Sequence, residues 1–489
     1  MRNPSSDQFE AGGSALLTRQ PWTLLAALVL SCVWASPACA APPPMSVPAG
    51  ETFHAGPGGC GQEILRGLAH STNVLGSLCG LRPFLGRYGI SLGLTETSEF
   101  LGNVGGGTRK GFAYDGLTTL VLQMDTQRAF GWYGGTLDAS ALQIHGQNLS
   151  AQNLQTLQTA SGIEADRGTR LWELWYDQRF FGDGRLDLKL GQQSLDQEWM
   201  VSQDALSFVN TMFGWPMLPS ADLPGGGPAY PLSVVGARLR ARASDAWTLL
   251  AGVYNGSPVA DNTGDPQQQN AHGTSFPLHG GALAILEAQY AYPALGTMLY
   301  AGGSEPLARV YKIGMWYDSE NFNDQAFDDR GLSLANPASS GSPKAHRGNW
   351  ALYAVADQMI WQSATEPDRT VSLFLRPMWT PLADRNEIDR SVNAGVTVHE
   401  PFIHRDDDTF GLGLGYAHVS SRLVALDRRE GYRAHHAETF VEATYQYQAT
   451  PWLQLQPDLQ YVFHPGAGIT TVRPVNNETV IGLRANVTF

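Results

Sequence analysis

Charge is scarce in this sequence: Asp, Glu, Lys and Arg make up 16% of its 489 residues, where soluble domains carry roughly a quarter. Long apolar runs are scarce as well. After the N-terminal stretch no segment reaches about 18 consecutive apolar residues, which excludes a membrane-spanning helix from the rest of the chain. Basic residues are outnumbered, 32 Lys and Arg against 45 Asp and Glu, for a net charge of −13. That balance argues against nucleic acid as a partner. No Ser-His-Asp set and no HExxH motif appears, and Gly105-Gly106-Gly107 is not followed by the Lys-Ser/Thr of a phosphate loop. No cofactor and no metal are expected. Asp406-Asp407-Asp408 reads as a solvated turn, and a metal role for His435-His436 is the lesser reading.

Cysteine is also sparse, with four in the chain. Cys32 and Cys39 fall in an export signal. Arg2 and Arg19 precede an apolar run, Trp22 to Val33, and Ala38-Cys39-Ala40 gives a small-x-small cleavage site, so residues 1–40 are expected to leave and Ala41 to begin the mature chain. Cys60 and Cys79 then remain. In an oxidising compartment, two cysteines closing a loop of about 20 residues form a disulfide worth roughly 3 kcal/mol. Residues 41–80 are expected to be a Pro/Gly-rich linker and one or two short helices on the periplasmic side.

Aromatics and glycine are plentiful: 54 Gly, 13 Trp, 17 Tyr and 19 Phe. Low charge, many aromatics and no apolar run describe a transmembrane β-barrel, in which apolar and lumen residues alternate one for one. The last stretch, Glu478 to Phe489, shows the period. Thr479, Ile481, Leu483, Ala485, Val487 and Phe489 share one face, and Val480, Gly482, Arg484, Asn486 and Thr488 share the other. A terminal Phe on such a strand suits closure against the first strand. The same reading gives sixteen strands, at 90–100, 112–126, 135–145, 170–181, 184–195, 233–243, 246–255, 281–291, 308–318, 348–361, 370–379, 390–399, 409–419, 437–448, 451–463 and 478–489. The expected fold is therefore an all-β, antiparallel transmembrane barrel over residues 81–489. Odd-numbered connections are long, and Gly182-Asp183, Ser244-Asp245 and Ala449-Thr450 are short, as outer loops and inner turns should be. The long connection between strands 8 and 9 breaks that parity, and strands 3, 10 and 13 have mixed faces. Trp132, Tyr133, Trp247, Trp361 and Trp452 mark the inner membrane boundary.

Several stretches carry a resemblance. Gly80-Leu81-Arg82-Pro83, Leu101-Gly102-Asn103-Val104 before Gly105-Gly106-Gly107, Leu171-Trp172-Glu173-Leu174-Trp175-Tyr176, Phe213-Gly214-Trp215-Pro216, Gly225-Gly226-Gly227-Pro228-Ala229-Tyr230-Pro231 and Gln456-Pro457-Asp458-Leu459-Gln460-Tyr461 resemble the carbohydrate-selective porins, the OprB-type family of Gram-negative outer membranes. The resemblance runs from about Gly80 to Phe489 and departs from the family at the Cys60–Cys79 segment. It implies passive diffusion of sugars through the barrel, with the third outer loop folded into the lumen. That loop, Asp196 to Leu232, is too apolar for a solvated surface, and Trp215 or Tyr230 is expected to face the passage.

The expected lumen wall has Arg238, Arg240 and Arg242 as a basic ladder, Asp187 and Lys189 beside it, and Glu173, Trp175, Asp177 and Arg179 on the neighbouring strand, with Trp172 turned to lipid. Gln454, Gln456, Asp458 and Gln460 lie on the strand before the last. Charged and amide groups exchange hydrogen bonds with vicinal hydroxyls while an aromatic face stacks on the C–H face of a sugar ring. Most of the charged groups are expected to pair with one another. Two other readings compete: a general or anion-selective porin, from the arginine ladder, and a secreted β-rich glycosidase using Glu173 and Asp177. Expected partners are mono- or oligosaccharides, outer-membrane lipid and lipopolysaccharide, the barrel assembly machinery through the C-terminal strand, and other copies in a homotrimer.

Overall fold

A computed structural model describes residues 73–260, 264–278, 280–293, 307–468 and 475–489. The expected signal, most of the 41–80 segment, Cys60 and most of the connection between the eighth and ninth strands lie outside the described residues. Sixteen strands follow in order: β1 Ile90–Gly105, β2 Gly111–Asp125, β3 Gly135–Gly146, β4 Gly168–Phe180, β5 Leu186–Gln193, β6 Val234–Arg242, β7 Trp247–Asn255 and β8 Ala282–Tyr292. Then come β9 Arg309–Asp328, β10 Pro343–Gln362, β11 Thr370–Trp379, β12 Ile388–His399, β13 Thr409–Val419, β14 Ala437–Thr450, β15 Leu453–Phe463 and β16 Glu478–Thr488. Each pairs with its sequence neighbours, and β1 pairs antiparallel with β16, so the sheet closes and leaves no edge.

The alternation sets the two faces. Leu174, Leu190, Leu249, Ile313, Leu373, Leu375, Leu412, Leu414, Leu459 and Leu483 are exposed on the outside, where lipid takes the place of a second apolar layer. Their neighbours in sequence point inward and are mostly buried. At the end with the short turns, Trp132, Tyr133, Trp247 and Trp361 are exposed. Closure is completed by the chain termini of the barrel. Phe489 donates its N–H to Leu94 O at 2.9 Å and Val74 donates to Thr488 O at 2.9 Å, while the Arg82 guanidinium reaches Phe489 O. Arg82 lies in a short helix, Leu81–Arg87. Cys79, just before it, is disulfide-bonded.

Three departures from the sequence reading have local causes. β9 and β10 each run 20 residues rather than ending near 318 and starting near 348, and pair out to Pro343↔Asp328. Their extra length alternates polar and small residues, a weak signal. Asp328 ties the tip by accepting N–H bonds from Leu332, Arg330 and Ser340 at 2.7 to 3.0 Å. On β4 the register slips between Ser140 and Ala141 of β3, leaving Trp172 as the extra residue of a β-bulge. Trp172 and Glu173 are consequently both buried, and Trp172 packs on Leu142, Ile144 and Tyr230 rather than on lipid. Asp408 is buried, not solvated. It accepts the Arg405 guanidinium at 2.7 Å, the Tyr445 hydroxyl at 2.6 Å and the Gln448 N–H at 2.9 Å, fixing the inner turn before β13.

Candidate functional site

The connection from Ser194 to Ser233 folds inward and fills much of the barrel. Its Trp199, Phe208, Met212, Phe213, Trp215 and Leu218 share one apolar cluster with Tyr254, Ile285, Trp316, Tyr353, Phe374 and Phe440 of the wall. Phe213 stands edge-on to Phe374 and Phe440 at 5.7 and 5.4 Å, a favoured aromatic geometry. The mixed face of β13 has its explanation here. A Cβ on Gly411 or Gly413 would come within 2.7 to 3.0 Å of the Phe208 and Phe213 rings, so glycine at these two inward positions makes room for the loop.

Polar wall residues hold the loop's backbone, whose N–H and C=O groups would otherwise be buried without partners. Glu287 accepts Met200 N–H at 3.0 Å, Asp357 accepts Gln203 N–H at 3.1 Å, and Glu442 accepts the N–H groups of Val209 and Asn210 at 2.6 and 3.0 Å. Arg376 on β11 does the converse. Its guanidinium, with the residue fully buried, donates to the carbonyls of Met200, Met212, Phe213 and Gly214 at 2.5 to 3.0 Å. Asp222, near the loop's end, accepts N–H bonds from Glu387 and Ile388 at 2.8 and 3.2 Å. Burial drives its carboxyl well above the ordinary carboxylate range; the bond from Ile388 opposes this and the charge of Glu387 adds to it.

A second connection, residues 147–167, also turns inward, which its Gln/Ser/Thr-rich composition did not reveal. Leu149, Leu154 and Ala160 cluster with Val209 of the longer loop and with Leu101 and Val480 of the wall. Gly162 donates to Val209 O at 2.9 Å, and Glu438 accepts Leu157 and Gln158 N–H at 2.9 and 2.7 Å. The only sequence trace is its sparse row of Leu149, Leu154 and Leu157.

Beside the root of the long loop, the wall of β3–β6 carries a charged lattice. In register, Asp177 faces Lys189 and Lys189 faces Arg238, while Asp187 faces Arg240. Arg238 pairs with Asp187, with Glu198 of the long loop at 3.0 Å and with Asp177 at 3.8 Å. Arg240 reaches Asp187 at 2.7 Å and Lys189 reaches Glu198 at 3.2 Å. Burial alone would raise the Glu198 carboxyl, but Lys189, Arg238 and Arg240 around it hold it far below its usual range. Lys189 Nζ also sits 4.6 Å over the Trp175 ring, within cation–π range. Three cations meet three carboxylates in this lattice. The Lys189 and Arg240 side chains keep 13% and 24% exposure, against 3% for Arg238. Trp175 Nε1 and Asp138 Oδ1, directly opposite each other across β3 and β4, have no protein hydrogen-bond partner among the described residues.

The remaining expected site residues sit elsewhere. Glu173 is buried and accepts Ser194 N–H at 2.9 Å, at the root of the long loop. Trp215 is buried and donates Nε1 to Gly226 O at 3.1 Å, and Tyr230 donates its hydroxyl to Ile163 O at 2.9 Å. Trp215 belongs to the long loop's apolar cluster and Tyr230 packs against the Trp172 cluster. Gln456 donates to Ser207 O at 2.8 Å, and Asp458 accepts Gln460 at 2.9 Å. These two lie behind the inward loops, which shield the β14–β16 wall. Glu198, Arg376 and Glu287 were missed by sequence reading because their roles come from contacts across the lumen.

Comparison with known proteins bears on this arrangement. Residues 109–489 match the family described as carbohydrate-selective porin, OprB family. Porin B of Pseudomonas aeruginosa is 26% identical over 443 residues, covering 85% of this chain and 91% of that protein. The putative porin QuiX of Acinetobacter baylyi is 22% identical over 441 residues, covering 85% and 93%. The high-pH structure of Pseudomonas putida OprB superposes with a TM-score of 0.74 at 23% identity, covering 86% of this chain and 99% of that one.

Proposed function

The chain belongs to the carbohydrate-selective porin, OprB family, and from that premise we propose how this barrel passes sugars across the Gram-negative outer membrane. Passage is passive diffusion through a lumen narrowed by the two inward loops. Solute moves along the β3–β6 wall. Lys189 and Arg240 offer donors to sugar hydroxyls, with Asp187, Glu198 and Arg238 behind them fixing their positions. Trp175 and Asp138, both buried, back this wall, with the Trp175 ring beneath the Lys189 ammonium. The observation that carries this reading is the charge balance of the lattice. Cations neutralised by adjacent carboxylates suit a neutral polyol, whereas unpaired arginines would concentrate anions. Each contact is weak and shared with a partner already present, as throughput requires.

Glu173, Trp215, Tyr230, Gln456 and Asp458 serve this reading as supports of the loops. Residues 1–40 as export signal, 41–80 as periplasmic segment and 81–489 as the barrel complete it, with lipid and lipopolysaccharide around the barrel and the terminal strand offered to the assembly machinery. The general or anion-selective alternative rests on Arg238, Arg240 and Arg242. Reversal potential in a salt gradient separates the two: a value near zero supports the neutral-solute reading, and strong anion selectivity overturns it. The direct test is planar-bilayer conductance of the purified protein with added glucose or maltodextrins. Single-channel steps that fall as sugar is added support a sugar path; steps indifferent to every sugar leave a general pore.

A further inference from the structure

Where the 147–167 connection meets the outer ends of β14 and β16, the buried polar atoms left without a partner are all oxygens. Glu438, Glu478 and Gln158 are fully buried there. Glu438 is well held: it accepts the N–H groups of Leu157, Gln158 and Gly466 at 2.9, 2.7 and 2.6 Å. Glu478 is not. Neither of its carboxylate oxygens has a hydrogen-bond partner among the described residues, and Gln158 Oε1 and Thr156 Oγ1 also lack one. These atoms gather around Glu438. Glu478 stands near enough to feel its charge, Gln158 donates Nε2 to its Oε1 at 3.3 Å, and Thr156 precedes the Leu157 that it holds. Among the described residues no Lys or Arg lies close enough to offset either carboxylate.

The atoms select the ligand. Two buried carboxylates without a counter-charge are costly in a protein interior. Water can donate to Glu478 but leaves both charges in place. Carboxylate, amide and hydroxyl oxygens are the donor set of a hard divalent cation, and with no imidazole or thiolate among them zinc and copper are poorly served. Calcium accepts such a mixed set at flexible geometry, whereas magnesium demands a rigid octahedron and keeps several waters. There is also space. Gly107, at the β1–β2 tip, has a φ of +68°, and a Cβ on it would stand 3.1 Å from Glu478 Oε1, so glycine leaves one side of the carboxylate open. Gln155 is exposed and Thr156 half-buried, which puts the medium one residue away.

We propose that Glu478, Gln158 Oε1 and Thr156 Oγ1 bind one calcium ion, with Glu438 supplying the second negative charge from its fixed position. The ion fastens the 147–167 connection to β14 and β16. No local spacing announces the site, because its oxygens come from separate segments of the chain. It goes beyond sugar passage and rests on nothing in the β3–β6 wall.

The test is calcium binding by the full-length protein, purified in detergent and freed of lipopolysaccharide, which itself carries calcium. Equilibrium dialysis after chelation should return one ion per chain, with a dissociation constant on the order of 10⁻⁴–10⁻³ M, as in extracellular sites. The thermal midpoint should rise with calcium concentration by mass action. Glu478→Gln keeps the shape, removes the charge and should weaken binding by about tenfold or more. Gln158→Met should weaken it as well, and both variants should keep the heat-modifiable mobility of a folded barrel. Asp265→Asn, at an exposed carboxylate on another outer connection, should bind as the parent does. A parent protein that binds no calcium overturns the proposal. So does binding that Glu478→Gln and Gln158→Met both retain, or a midpoint raised equally by magnesium, which is general screening of charge. Neither readout uses sugar or current, so the result stands apart from the sugar path.

Discussion

Arg376 bonds four carbonyls of the long inward loop from one buried guanidinium, a geometry that only the planar fork of arginine supplies. Replacing it by Met leaves several of those carbonyls without a partner, at about 1–3 kcal/mol for the site. The expected outcome is a lower thermal midpoint and a larger, noisier conductance, read in detergent melts and bilayers. Asp222 sets a pH dependence. Its folded pKa is raised by burial, so the docked loop binds more protons than the free loop, and docking weakens as pH rises above the unfolded value near 3.9. Asp222→Asn keeps the acceptor for Glu387 and Ile388 N–H and removes the titration. Protease sensitivity of the loop should rise between pH 4 and pH 8 in the parent and stay flat in Asp222→Asn. At the proposed sugar path, Trp175→Ala removes the ring that holds the Lys189 ammonium in place and should weaken sugar block of the current roughly tenfold, the worth of about 1.4 kcal/mol of cation–π support.

Among elements, β13 shows how far a strand is shaped by what crosses it. Read alone, Thr409 to Val419 alternates glycine with leucine, a weak strand pattern. Its outward leucines face lipid and its inward glycines face Phe208 and Phe213. Gly413→Val should push the loop off the wall, costing about 1–3 kcal/mol, and melting together with single-channel conductance would report it. Long outer connections were legible from their lengths and apolar content, and the inward fold of the longest was expected. The 147–167 connection was not, because its few leucines sit among glutamines and its partners, Glu438 and Val209, are distant in sequence. The β4 bulge is a similar case: a one-residue slip carries Trp172 from the lipid face to the interior, and nothing within Leu171 to Tyr176 announces it.

At the scale of the molecule, the charge balance of the lumen lattice sets ion selectivity. Current through a charge-balanced wall should show weak ion selectivity that changes little with salt, since paired charges present little field at a distance. Conversion of Asp187 to Asn leaves Arg238 and Arg240 short of a partner and should turn the channel anion-selective, measured as a shift in reversal potential under a tenfold salt gradient.

The strand count, the strand bounds to within a few residues for most elements, and the division into lipid and lumen faces follow from the sequence, because a barrel wall is written in local alternation with period two. The basic ladder and its acidic neighbours on β4–β6 were legible for the same reason: residues facing each other on adjacent hairpin strands stay in a predictable register. Which of them keep some exposure was decided by the tertiary structure. Gln456 and Asp458 alternate inward as faithfully as Lys189, yet they lie beneath loops whose path depends on Arg376, Glu442 and the Gly411–Gly413 recess. Burial across a lumen is a meeting of segments hundreds of residues apart, and periodicity carries no information about distance.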